Sequence, residues 1–150
     1  MRLIIEPNYE KLSKWAANYV IERINAAKNQ DKPFVLGLPT GSSPEGMYAE
    51  LVKAYKEGKV SFKNVVTFNM DEYVGLPESH PQSYHTFMAE NLFNHIDCPK
   101  ENIHILNGNA ENLEECMERE TRFELATPAL ARRCSTAELF PHTEPIITIS

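Results

Sequence analysis

Two short segments carry residue types that could do chemistry on a small anionic substrate. In Leu38-Pro39-Thr40-Gly41-Ser42-Ser43-Pro44, a glycine stands among three hydroxyl side chains directly ahead of a helical pattern. Gly41 lets the backbone turn without a Cβ clash, while Thr40, Ser42 and Ser43 offer hydroxyls and amide N–H groups at the positive end of a helix dipole, which is what a phosphate needs. Ser43 reads as the N-cap and Pro44 as the first helical residue. The same residues also suit a plain capped turn between a strand and a helix. Neither a Gly-Lys-Ser/Thr ending nor a Gly-x-Gly-x-x-Gly fingerprint is present, which argues against a nucleotide.

The second segment is Val65-Val66-Thr67-Phe68-Asn69-Met70 followed by Asp71-Glu72-Tyr73. A carboxylate at the end of an apolar run loses part of its hydration, and its pKa rises toward the range useful for taking a proton. A solvated loop pair or a helix-capping carboxylate would have the same sequence. Neighbours on extended chain point to opposite sides, so at most one of Asp71 and Glu72 faces a ligand, and position alone does not choose between them. His80, His85, His95 and His104 show no His-Glu-x-x-His spacing, so no metal site is read from them, and no Gly-x-Ser-x-Gly elbow marks a serine hydrolase. Tyr48, Tyr55, Phe87 and Phe93 fall at helical positions where core packing is the ordinary explanation.

Alternating elements must position these segments. From Asn8 to Lys28, Tyr9, Leu12, Trp15, Ala16, Tyr19, Val20, Ile24 and Ala27 recur at three- and four-residue steps, predicting an amphipathic helix capped by Asn8. Phe34 to Leu38 predicts a strand and Pro44 to Glu57 a helix. Val65 to Phe68 predicts a second strand, running into Asn69 to Tyr73 as loop, and Ser83 to Ile96 a third helix. Ile103 to Leu106 is the third strand. This order predicts an α/β fold, a partial doubly wound parallel sheet with helices on both faces, whose ligands bind at the carboxyl ends of the strands.

The chain has 150 residues, 42% of them hydrophobic, with 15 basic against 21 acidic side chains for a net charge of −6. That composition suits one globular domain and lacks the basic surplus that draws a protein to nucleic acid or anionic membrane. No apolar signal stretch opens the sequence, so the cytoplasm is the expected compartment. Cys98, Cys116 and Cys134 form no Cys-x-x-Cys pair and read as reduced thiols. Beyond Glu118 the chain has no lysine and no glycine, and its basic residues are Arg119, Arg122, Arg132 and Arg133.

At its two loops the chain resembles the glucosamine-6-phosphate deaminase family. The resemblance is carried by Met1-Arg2-Leu3-Ile4, by Leu36-Gly37-Leu38-Pro39-Thr40-Gly41-Ser42-Ser43-Pro44, by Val60-Ser61-Phe62-Lys63, and by Thr67-Phe68-Asn69-Met70-Asp71-Glu72-Tyr73-Val74-Gly75-Leu76-Pro77. His80-Pro81, Ser83-Tyr84 and Leu106-Asn107-Gly108-Asn109-Ala110 continue it in order. The Phe68-to-Leu76 string is highly specific, whereas the Thr-Gly-Ser-Ser-Pro loop is shared in looser form with sugar-phosphate isomerases and lactonases. The resemblance implies conversion of glucosamine 6-phosphate and water to fructose 6-phosphate and ammonia, with Asp71 as the base at C2 and Thr40, Gly41, Ser42 and Ser43 in the substrate-phosphate loop. It implies no cofactor, a sugar phosphate as the small-molecule partner, and homo-oligomers among family members.

Residues 1–118 are read as the N-terminal part of such a domain and 119–150 as a non-family tail, fused or out of frame. The family's second motif, an Asp-Gly-His turn followed by Asn-Glu-Pro, is absent, because Asp31, Asp71 and Asp97 are the only aspartates and none precedes glycine. An inactive fragment, a weak sugar-phosphate-binding module and a 6-phosphogluconolactonase-like hydrolase are the alternatives. The lactonase class lacks the Asn-Met-Asp-Glu-Tyr string. A chain without the later strands and the second motif is expected to be inactive on glucosamine 6-phosphate, since one base and half a phosphate clamp cannot also open the pyranose ring, and to be marginally stable or aggregation-prone, with sheet edge and helix faces uncovered. Thermal unfolding followed by circular dichroism checks this stability expectation; a cooperative, high-temperature melt of a soluble monomer contradicts it.

Overall fold

In a computed structural model, residues 3–28, 30, 32–111 and the strand 146–148 are described. Met1, Arg2, Cys116, Cys134 and the rest of the Arg-containing segment lie outside the described residues. Helix α1 spans Tyr9–Ala27, and Asn8 caps it as the pattern predicts, its Oδ1 accepting the Lys11 N–H at 2.9 Å. Strand β1 is Phe34–Leu38, helix α2 Ser42–Lys56 and strand β2 Val65–Asn69. Strand β3, Asp71–Tyr73, precedes helix α3 at Tyr84–Asn91, and one-turn 3-10 helices at Phe93–His95 and Lys100–Asn102 lead to strand β4 at Ile103–Ile105. Strand β5 is Ile146–Thr148.

Strands β1, β2 and β4 form a parallel sheet in the order β1-β2-β4, with β2 in the middle. Residues of one parity, including Leu38 and Val65, enter a single core with Ala17 and Ile24 of α1, Tyr48 and Leu51 of α2, and Met88 and Leu92 of α3. Val35, which is 51% exposed, has the other parity and stays outside that core, as do Val66 and Phe68. Phe68 stacks on His104 across the β2–β4 pair, with ring centroids 4.7 Å apart. The second helical layer expected on this face has no counterpart among the described residues.

Three expectations are corrected. Helix α2 begins at Ser42 with Gly41 as its N-cap, not at Pro44 with Ser43 as cap. Gly41 has φ of +93°, a conformation open to glycine at little cost, and Pro44 falls in the first turn, where its missing N–H would have had no intrahelical acceptor. The stretch after Val65-to-Phe68 is not all loop: Asn69 closes β2, and Asp71–Tyr73 pairs antiparallel with Ile146–Thr148. Finally, α3 stops at Asn91 rather than running to Ile96. There the Asn91 side chain donates to the Phe87 carbonyl at 2.8 Å, and Leu92 leaves helical geometry at φ −142°.

Close approaches fix the loops at the strand ends. Helices α1 and α2 meet at Gly46, where a Cβ would overlap the Ser13 side chain and press on the Tyr9 ring. The Tyr9 hydroxyl accepts the Gly46 N–H at 2.8 Å and lies 3.1 Å from the carbonyl oxygens of both Ser42 and Ser43, bracing the first turn of α2 from behind. Gly108 packs directly against the Tyr73 carbonyl, leaving no room for a side chain, and its own carbonyl accepts the Gly75 N–H at 3.1 Å.

Candidate active site

Parallel pairing aligns Leu38 with Asn69 at the carboxyl ends of β1 and β2, and the Asn69 Nδ2 donates to the Leu38 carbonyl at 2.9 Å in a buried bond. Thr40 and Asp71 each stand two residues beyond these aligned ends, so the register alone brings the two loops together. The Thr40 hydroxyl donates to both oxygens of Asp71, at 3.3 and 3.4 Å. Gly41, Ser42 and Ser43 are exposed at the start of α2, beside this pair. The five residues singled out from the sequence are thus held at one end of the sheet.

Alternation along β3 sends the adjacent carboxylates to different surroundings. Asp71 is half-buried at the loop junction, and burial, reinforced by the charge of Glu72, pushes its carboxyl above the usual aspartate range against the opposing Thr40 hydrogen bond. Glu72 is buried to 2% exposure and turns toward α3. Its Oε1 accepts the backbone N–H of Tyr73 at 2.8 Å and of Tyr84 at 3.0 Å, and its Oε2 lies 3.0 Å from the His85 backbone N and 2.6 Å from His85 Nδ1. Glu72 therefore takes the helix-capping role and Asp71 the solvent-facing one, the choice that position left open.

Two tyrosines complete the surroundings of Asp71: Tyr48, which the helical spacing assigned to core packing, and Tyr84 at the start of α3. Tyr48 is fully buried, yet its hydroxyl bonds the Pro39 carbonyl, and burial together with the nearby Asp71 charge raises its pKa. Tyr84 packs against Tyr73 with ring centroids 4.9 Å apart. Burial heads the causes that push the Tyr84 hydroxyl up to about 12, with the neighbouring Tyr73 and the Asp71 charge adding to it and Thr40 opposing it, so it stays a proton donor at neutral pH. A tyrosine on the inward, apolar stripe of a helix needs a partner for its hydroxyl, and that is the signal that could have exposed Tyr48 in the sequence.

The family described as glucosamine-6-phosphate isomerases/6-phosphogluconolactonase matches residues 7–144 of this sequence. The chain belongs to that family. It is 71% identical over 118 residues to a glucosamine-6-phosphate deaminase of Phocaeicola vulgatus, covering 77% of this chain and 45% of the relative. Identity to a deaminase of Porphyromonas gingivalis is 68% over 128 residues, covering 84% of this chain and 49% of the relative. The chain thus spans about half the length of the curated relatives it matches. A solved monomeric glucosamine-6-phosphate deaminase superposes with a TM-score of 0.77 at 36% identity, over 84% of this chain and 51% of its own. The 6-phosphogluconolactonase of Thermotoga maritima, at 20% identity and a TM-score of 0.64 over 84% of this chain and 54% of its own, shares the fold.

Asp71 costs this family member stability. The folded chain holds the Asp71 proton to a higher pH than the unfolded chain does, so stability falls as pH rises from the ordinary aspartate range, about pH 4, through the folded value. Replacing Asp71 with Asn keeps an acceptor for Thr40 and removes the buried charge. The D71N chain should need more denaturant to unfold than the wild type at pH 7, with the difference closing near pH 4. Urea titrations at the two pH values check this; a D71N chain less stable at pH 7 contradicts it.

Proposed function

We propose that this sequence supplies the phosphate loop and the proton-transfer base of a glucosamine-6-phosphate deaminase, converting glucosamine 6-phosphate and water to fructose 6-phosphate and ammonia. The observation that carries the reading is the junction of Asp71 with the Thr40–Ser43 turn, in a chain whose 71%-identical relative bears the deaminase name. The amide N–H groups of Ser42 and Ser43 at the start of α2 attract the substrate phosphate, the Thr40 hydroxyl anchors Asp71, and the sugar lies across the ends of β1 and β2.

In the open-chain substrate, Asp71 takes the proton from C2, and the electron pair moves through C1 to the aldehyde oxygen, giving an enolamine. Returning the proton to C1 leaves a ketimine at C2. Water adds there, the C–N bond breaks, and ammonia departs to leave the ketose. A carboxyl pushed above its ordinary range is a stronger base than a free aspartate and suits this transfer. The substrate's carbonyl and amine spread the developing charge, so the reading needs no cofactor. No helix among the described residues is long and apolar enough to cross a membrane.

Proton transfer is measurable without catalysed opening of the sugar ring. With fructose 6-phosphate and ammonium in deuterium oxide, the chain should exchange hydrogen at C1, and D71N should slow that exchange by at least about a hundredfold, the low end for a general base. Proton NMR of the sugar reads the exchange. Equal exchange by D71N and wild type removes Asp71 as base, and binding without exchange by either chain leaves only a sugar-phosphate-binding module.

A further inference from the structure

The deaminase reading assigns Asp71 and the phosphate loop but leaves the buried neighbour of Asp71 without a part. A carboxylate at 2% exposure is expensive unless its oxygens are fully paired. Glu72 meets that condition with an unusual set of partners. The Tyr73 N–H lies on its own strand, the Tyr84 and His85 N–H groups open α3, and His85 Nδ1 lies on the same helical turn. The remaining amide of the turn, Thr86 N–H, donates to Ser83 Oγ at 3.1 Å, and Ser83 Oγ in turn donates to the Glu78 carbonyl. Every early N–H of α3 therefore has an acceptor, and Glu72 supplies two of them from a strand twelve and thirteen residues earlier.

We propose that Glu72 is a positioning residue for the reaction: its carboxylate latches β3 to the start of α3, and this latch sets both the position of Asp71 against Thr40 and that of Tyr84 beside it. The inference deepens the deaminase reading and rests on Asp71 being its base. The covalent geometry is direct, because Asp71 is the residue before the latched strand position and Tyr84 is the residue whose N–H is held. If the latch loosens, the strand can rotate about its axis, and the half-buried Asp71 opens to water and parts from the Thr40 hydroxyl, while Tyr84 loses its packing on Tyr73. On the outer side, His85 Nε2 lies 3.7 Å from Glu78 Oε1, so the imidazole bridges the buried carboxylate to an exposed one.

Charge and position are separated by Glu72→Asp, which keeps the negative charge but is one methylene short of reaching both α3 amides. His85→Phe removes the Nδ1 partner and leaves the Glu72 carboxylate in place, and it serves where E72D fails to fold. In the full chain labelled with 13C-aspartate, the Asp71 carboxyl is titrated by NMR, and the Tyr84 and His85 amides are followed by hydrogen exchange. The latch predicts that the Asp71 midpoint falls toward the ordinary aspartate range in both variants. It also predicts that both amides exchange roughly tenfold faster in E72D, the loss expected for one charge-assisted hydrogen bond. A purely structural Glu72 lowers the melting temperature without moving the Asp71 midpoint; an unchanged midpoint in the folded variants overturns the inference. If the variants shift Asp71 in a chain that catalyses no exchange at C1 of fructose 6-phosphate, the latch stands and the deaminase reading fails. The converse pattern removes the latch and leaves the deaminase.

Discussion

The in-register parallel pairing of β1 with β2 is the constraint on which the site depends. Leu38 lies opposite Asn69, and a buried hydrogen bond from the Asn69 amide to the Leu38 carbonyl closes the pair where the ladder ends. Residues at equal offsets beyond that point are necessarily neighbours, which is why Thr40 meets Asp71. Slipping the pairing by one residue would also invert the face of every side chain on β2, taking Val65 out of the core it shares with α1, α2 and α3. The core and the site are therefore specified by the same register.

Around that register, the surrounding elements act mainly as braces. Tyr9 reaches from α1 to hold the first turn of α2, Tyr48 reaches back from α2 to the Pro39 carbonyl, and Gly108 leaves room for the Tyr73 carbonyl to pack closely. Glu72 does the same from β3 to α3. Apart from Tyr48 to Pro39, these braces join residues twelve or more positions apart, so tertiary contacts as well as local turn chemistry hold the loops. On the proposed function, the half-buried Asp71 costs folding energy at neutral pH in return for basicity.

The local parts of this arrangement were legible in the sequence. Period-3.6 spacing gave α1 and its Asn8 cap, apolar runs gave β1, β2 and β4, and the positions of Thr40–Ser43 and Asp71 just past two strands marked the candidate site. What escaped was non-local. Strand β3 is defined by pairing with residues 146–148, more than seventy positions away, so Asp71–Tyr73 read as loop. Position alone could not distinguish Glu72 from Asp71, a choice that only the family resemblance made, because the partners of Glu72, Tyr84 and His85, come from the next helix. The shift of the α2 cap from Ser43 to Gly41 escaped because proline is tolerated throughout a first helical turn, so Pro44 did not fix the start. The separation of residues 119–150 from the family domain remains a proposal, since the family match extends to residue 144.

The most direct measurement is the two-dimensional 1H–15N NMR spectrum of the chain titrated with fructose 6-phosphate. Saturable shifts are expected, centred on the amides of Gly41, Ser42 and Ser43 and on Met70–Tyr73, the two loops that the β1–β2 register brings together. Shifts confined to other surfaces, or no shifts at millimolar sugar phosphate in a folded chain, would contradict a sugar-phosphate site there.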